Sequence, residues 1–222
     1  MSYNVCIEIQ GKQTNTKAVA AKELDGPGLK LNHMHTHSLA AAKLSLTREV
    51  CQFLEAIFDG APTALQSLTF SRGSQQPIHV DYPYVNAQSR LPYLAASWIP
   101  LEDVHPDSGP LAYYPGGHKP EVSGFFDWGG GSITKQKDSP RNSMQFAQFL
   151  TERMQAAMIN PVTYCPRKGD VLIWHANLPH GGTRINDSAH TRRSLVTHYT
   201  ASQFYPEPRL PKGAAQRRLR SV

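Results

Sequence analysis

The chain predicts a mostly-β fold, a sandwich or jelly roll with a few supporting helices. Three observations carry that expectation. Apolar residues alternate over many short runs, and turn signals recur at regular spacing between them. The 222 residues hold 16 glycines and 17 prolines, a proportion that suits tight turns better than a helical bundle. Only two stretches show sustained helical spacing.

The elements follow in order. Tyr3 to Ile9 places Val5, Ile7 and Ile9 on one face and reads as an opening strand. Gly26-Pro27-Gly28 is a turn. His33-Met34-His35-Thr36-His37 would align three imidazoles if it were a strand, but no carboxylate or cysteine lies beside it. It reads as polar surface or local hydrogen bonding. Thr47 can cap a helix on which Val50, Leu54, Ile57 and Phe58 form the core stripe, closed by Gly60 and Pro62. Leu65 to Arg72 is the next strand, and Gly73 to Pro77 turns the chain into the stretch around His79.

Tyr93 to Leu101 is apolar enough to be buried on both faces, and Leu111 to Pro115 is short and β-prone. Phe125, Phe126 and Trp128 precede Gly129-Gly130-Gly131, a loop with aromatic anchors. Asn142 to Ile159 predicts a second helix with Ala147, Leu150, Met154 and Met158 on one stripe, stopped by Pro161. Three short strands close the fold, at 162–165, 171–174 and 192–200. There is no internal repeat. The expected organisation is one domain over 1–205, with 1–64 as N-terminal cover, 119–160 as a lid-like insertion and 206–222 as a basic, disordered tail.

Composition narrows the function classes. No apolar run reaches the ~18 residues a membrane helix needs. The N-terminus shows no basic segment followed by an apolar one. Cys6, Cys51 and Cys165 are odd in number and in no paired spacing, so reduced thiols and a cytoplasmic location are expected. Much of the net charge of +6 lies in Arg209, Lys212, Arg217, Arg218 and Arg220. That tail reads as solvated, and a nucleic-acid partner is not expected.

The chemistry centres on His79-Val80-Asp81. On an extended backbone His79 and Asp81 point the same way, which makes half of a 2-His-1-carboxylate iron site. The missing ligand is His175 or His180, both in the stretch from Gly169 to Gly182. His180 precedes two glycines, which let backbone approach a bound group closely. Such a triad leaves coordination positions for a keto acid such as 2-oxoglutarate and for oxygen. The far carboxylate of that dianion needs a buried cation. Arg192 and Arg193 follow His180 at a workable distance, and strand alternation lets only one of them point inward.

The ordered pieces Gln76-Pro77-Ile78-His79-Val80-Asp81, Trp98-Ile99-Pro100-Leu101, Tyr114-Pro115-Gly116-Gly117-His118-Lys119, Gly169 to His175, Leu178-Pro179-His180-Gly181-Gly182 and Arg192 to Tyr199 resemble the phytanoyl-CoA dioxygenase family of iron(II)/2-oxoglutarate oxygenases. The resemblance spans about residues 65 to 200. It implies a double-stranded β-helix of cupin-like type, with His79, Asp81 and His180 as catalytic iron ligands. Arg192 would hold 2-oxoglutarate, and Trp98 would lie beside it. The implied reaction is hydroxylation of a small-molecule C–H bond by molecular oxygen, with release of succinate and carbon dioxide. The alternative is a cupin-like metal-binding protein without 2-oxoglutarate chemistry. Asp81 stands where the halogenase branch has a small residue, which argues against chloride binding. The chain is short before His79, and 119–160 has no counterpart in the motifs, so substrate specificity is expected there. Gln75, Tyr82, Tyr84, Phe125, Phe126 and Trp128 are candidate pocket residues. The sequence names no substrate.

Overall fold

A computed structural model describes residues 6–9, 12–15, 25–85, 93–123, 133 and 139–205. The element order is β1 (Cys6–Ile9), β2 (Lys12–Asn15), β3 (Lys30–Asn32), α1 (Met34–His37), α2 (Leu39–Ser45), α3 (Arg48–Phe58), β4 (Pro62–Phe70), α4 (Tyr82–Val85) and β5 (Leu94–Pro100). It continues with β6 (Leu111–Tyr113), α5 (Pro120–Ser123), α6 (Ser143–Ala156), β7 (Val162–Tyr164), β8 (Leu172–His175), β9 (His180–Gly182) and β10 (Ser194–Ala201), and ends in a 3₁₀ turn at Ser202–Phe204.

Two antiparallel sheets make the frame. The larger runs β2-β1-β3-β4-β10-β5-β8 and the smaller runs β7-β6-β9. This is the jelly-roll arrangement in an open form, with helices against the outside of the larger sheet. The centre is β10, paired along its length with β4 and β5. All of its residues and all of β5 are buried, as expected of central strands covered on both faces.

Alternation along β10 sorts its side chains. Tyr199 and Ala201 face outward and join Val50, Leu54 and Phe58 of α3 in one core. Val196 faces inward and packs with Phe70, Ala96, Trp98, Val104 and Trp174 between the sheets. Hydroxyls tie the outer layer down. Tyr199 Oη donates to the Ser45 carbonyl at 2.6 Å, and the Ser45 and Thr197 hydroxyls pair at 2.8 Å.

Several local expectations change. The H-x-H-x-H run forms the single-turn helix α1, entered through His33 at φ 59°. The His33 amide donates to the Ser67 carbonyl, and both the His35 amide and Nδ1 meet the Ser67 hydroxyl. Docking on β4 therefore sets this turn. Thr47 occupies the N-cap position of α3 without a side-chain cap bond. Asp59, in the left-handed region, ends the helix, and Ile57 is half exposed rather than core. Asn142 caps α6 through Oδ1, which accepts from the Met144 and Gln145 amides. The helix stops at Ala156, so Met158 falls beyond the stripe, 88% exposed at φ 55°. The Phe125–Gly131 loop and the 206–222 tail lie outside the described residues.

Candidate metal centre

The segment around His79 keeps the alternation of a strand while making only an isolated bridge. His79 and His180 exchange both backbone hydrogen bonds, each at 2.9 Å. The Asp81 amide donates to the Ala176 carbonyl at 2.8 Å. Ile78, Val80 and Tyr82 point to the other side, where they pack with Phe146 and Leu150 of α6. The apolar face of α6 thus backs the segment whose polar face carries His79 and Asp81.

Gly181 and Gly182 make that approach possible, against the chain itself rather than a bound group. A Cβ at Gly181 would lie 2.9 Å from the Gln76 carbonyl oxygen, and one at Gly182 would lie 2.7 Å from the Gln75 nitrogen. Neither has room for a side chain.

The result is a buried cluster. One ligand atom each from His79, Asp81 and His180 lies within 4.8 Å of the others. Asp81 Oδ1 is 3.8 Å from His79 Nε2 and 3.6 Å from His180 Nε2. Both imidazoles are oriented in the same way. His79 Nδ1 lies 2.9 Å from the Pro77 carbonyl and His180 Nδ1 lies 2.8 Å from the Leu178 carbonyl. A carbonyl can only accept, so each Nδ1 carries the hydrogen and each Nε2 presents a lone pair to the centre.

Burial, reinforced by the neighbouring His180, lowers His79 to about 3, so its lone pair is available at neutral pH. Burial alone would raise the Asp81 carboxyl, but His180, His198 and His79 around it outweigh that and hold it below the ordinary carboxylate range. The Trp174 indole also donates to Asp81 Oδ2 at 2.8 Å. Three hard-to-borderline donors, one carboxylate and two imidazoles, fit a divalent transition metal with positions left open.

The same cavity, about 50 Å³, is lined by the three residues together with Phe70, Trp98, Arg192 and His198. Arg192 is 2% exposed. Its guanidinium lies 5.5 Å from the Trp98 ring and 5.8 Å from the Phe70 ring. Nη1 donates to the Gly109 carbonyl at 3.0 Å, while Nε is buried without a hydrogen bond. Burial brings this guanidinium down to about 10. Among the described residues no carboxylate pairs with it. A buried cation with donor capacity to spare fits the far carboxylate of a dicarboxylate ligand.

The adjacent arginine goes elsewhere. Arg193 is 63% exposed along its side chain and sits 3.9 Å from Glu102, whose carboxylate also accepts the Arg193 amide at 2.7 Å. His175, the other histidine the sequence offered, stays outside the cluster, with Nδ1 accepting the Asn177 amide. Of the candidate pocket residues, Tyr84 stands edge-on to His79 at 5.9 Å. Tyr82 is packing under α6. Gln75 is exposed and accepts the Ile185 amide, and Gln76 lines the cavity instead. Sequence reasoning passed over Trp174 and His198 as site residues. The signal for His198 was there: it lies at an even spacing from Arg192, on the same face of an extended strand.

A larger cavity of about 330 Å³ lies between Tyr114 and the end of α6, at Met154, Ile159 and Pro161. Among the described residues no carboxylate, imidazole or cation lines it.

Fold and site together define a jelly-roll protein with a cluster of two histidines and one aspartate able to hold a metal. The chain belongs to the phytanoyl-CoA dioxygenase (PhyH) family of iron(II)- and 2-oxoglutarate-dependent oxygenases, whose profile matches residues 10–194. No curated protein sequence matches it. Among solved structures it is similar to the non-heme alpha-ketoglutarate-dependent carbocyclase SnoK from nogalamycin biosynthesis, at 17% identity and a TM-score of 0.60, over 83% of this chain and 67% of that one. It is similar to EctD from S. alaskensis with 2-oxoglutarate and 5-hydroxyectoine, at 16% identity and a TM-score of 0.59, over 85% and 64%. It is also similar to the epimerase SnoN in complex with Fe3+, alpha-ketoglutarate and nogalamycin RO, at 17% and 0.59, over 87% and 73%. At these identities the likeness is one of fold, and the chain spans roughly two thirds of the length of the structures it matches.

Proposed function

We propose that this chain is an iron(II)- and 2-oxoglutarate-dependent oxygenase that hydroxylates a C–H bond of a small molecule with dioxygen, releasing succinate and carbon dioxide. The observation that carries the reading is one cavity holding both the His79–Asp81–His180 triad and a buried arginine with no carboxylate partner among the described residues. A cupin-type metal-binding protein without 2-oxoglutarate chemistry would have no use for that cation.

When bound, iron would activate dioxygen, the oxidant, with 2-oxoglutarate supplying two of the four electrons and the substrate C–H bond the other two. The protein's own residues then have separable tasks. His79 and His180 offer Nε2 because the Pro77 and Leu178 carbonyls hold their Nδ1 hydrogens. Asp81 offers Oδ1. Arg192 receives the distal carboxylate, and Trp98 and Phe70 wall the guanidinium from water, where a charge-assisted pair is stronger. Tyr84 stands at the triad's edge, where a substrate would enter.

Succinate release from 2-oxoglutarate tests the reading, using protein loaded anaerobically with iron(II) and then given oxygen without added substrate. Slow uncoupled turnover is expected, abolished in Asp81→Ala and in His79→Ala. Turnover that survives either substitution would overturn the assignment.

A further inference from the structure

We infer that His198 and Trp174 are positioning residues that pin Asp81 Oδ2, so that the carboxylate offers a metal only Oδ1. The inference rests on the triad reading above. The two carboxylate oxygens have different surroundings. Oδ1 faces the two ligand imidazoles at 3.8 and 3.6 Å. Oδ2 accepts the Trp174 indole hydrogen at 2.8 Å and faces His198 Nε2 at 3.4 Å.

His198 is placed for this by its strand. It is 2% exposed and lies on the inward face of β10 with Val196. Opposite it on β5 is Ala96, which leaves space for a ring. The β10–β4 register shifts between His198 and Tyr199, the kind of irregularity that re-aims a side chain.

A histidine kept only for packing is expected to have its ring nitrogens bonded when buried. Among the described residues neither ring nitrogen of His198 makes a hydrogen bond within the fold, and Nε2 stands 3.4 Å from Asp81 Oδ2. The indole holds one lone pair of Oδ2, and with its hydrogen on Nε2 the His198 ring would need to close only a few tenths of an ångström to hold the other, through which Oδ2 would otherwise swing toward a metal. A carboxylate held to one oxygen keeps a coordination position open, which a bidentate keto acid and dioxygen together require.

Cobalt(II) alone is the probe, because its ligand-field bands report coordination number without turnover. His198→Ala is expected to weaken cobalt binding about 10- to 100-fold, the range for residues that orient ligands, and to change the band intensities. His198→Gln, with an amide nitrogen near the place of Nε2, recovers most of both. Wild-type affinity and bands in His198→Ala would overturn the inference, as would a loss that His198→Gln does not recover. If His198→Ala does not fold, Trp174→Phe decides: altered bands with weakened binding support the inference, and wild-type behaviour overturns it. Failure of the wild-type protein to bind cobalt, or its retention in Asp81→Ala, would instead overturn the triad reading.

Discussion

Adjacent arginines with opposite fates show how little separates a site residue from a surface one. Alternation requires that one of Arg192 and Arg193 point inward, but it does not say which. The partner that decides is Glu102, far away in sequence, which draws Arg193 outward through both its amide and its guanidinium. Arg192 is left over Trp98 and Phe70 in the cavity that His79, Asp81 and His180 line. Arg192→Ala is expected to raise the KM for 2-oxoglutarate about 10- to 100-fold, the worth of a hydrogen bond to a charged group. Arg193→Ala should change it by no more than about twofold, as for an ordinary surface position. KM values from succinate release would check this, and the reverse pattern would mean that the wrong cation had been chosen. The candidate metal ligands were more legible than the arginine. His79 and Asp81 share a face through the shortest periodicity a chain has, and only the resemblance separated His180 from His175.

At the scale of elements, the sequence showed what has a period and hid what depends on contact. The α3 stripe of Val50, Leu54 and Phe58, the uniformly apolar β5 and the Asn142-capped α6 were readable. The strand β9 was not, because three residues, His-Gly-Gly, carry no pattern. It exists through β6 on one side and the His79 segment on the other. The turn α1 was hidden for the same reason: it forms around the Ser67 hydroxyl and carbonyl of β4, which local sequence cannot show. The glycines of β9 give a sharp test. Gly181→Ala drives a Cβ to 2.9 Å from the Gln76 oxygen, a backbone contact with no flexible side chain to yield. It is expected to cost about 1–3 kcal/mol, as overpacking does, and to weaken metal binding as the His79–His180 bridge opens. Gly26→Ala meets nothing within 4 Å at an ordinary φ and should stay within about 0.5 kcal/mol. Urea unfolding of the two variants would show the contrast, and equal midpoints would mean that β9 does not hold the His79 segment.

For the whole molecule, the buried histidines set how it responds to acid. Burial, with His33 and His37 nearby, lowers His35 from 6.5 to about 4. Burial and His180 lower His79 to about 3. These groups bind protons more tightly in the unfolded chain than in the folded one. Above about pH 6.5 they are neutral in both states and pH has no effect through them. Below it the unfolded chain gains protons that the folded one refuses, so stability falls as pH falls, by up to about 1.4 kcal/mol per pH unit for each such group. The decline continues to about pH 4 for His35 and about 3 for His79. It has the opposite sign to that of a histidine held charged by a carboxylate. The metal-free protein is therefore expected to lose urea resistance steadily from pH 6.5 to 4.5. His35→Gln removes one of the titrating groups, and an amide can still meet the Ser67 hydroxyl, so its profile should be shallower than that of the wild type. A wild-type midpoint flat across that range would show that these rings are not held neutral by the fold. A His35→Gln profile parallel to the wild type would assign the acid sensitivity to His79.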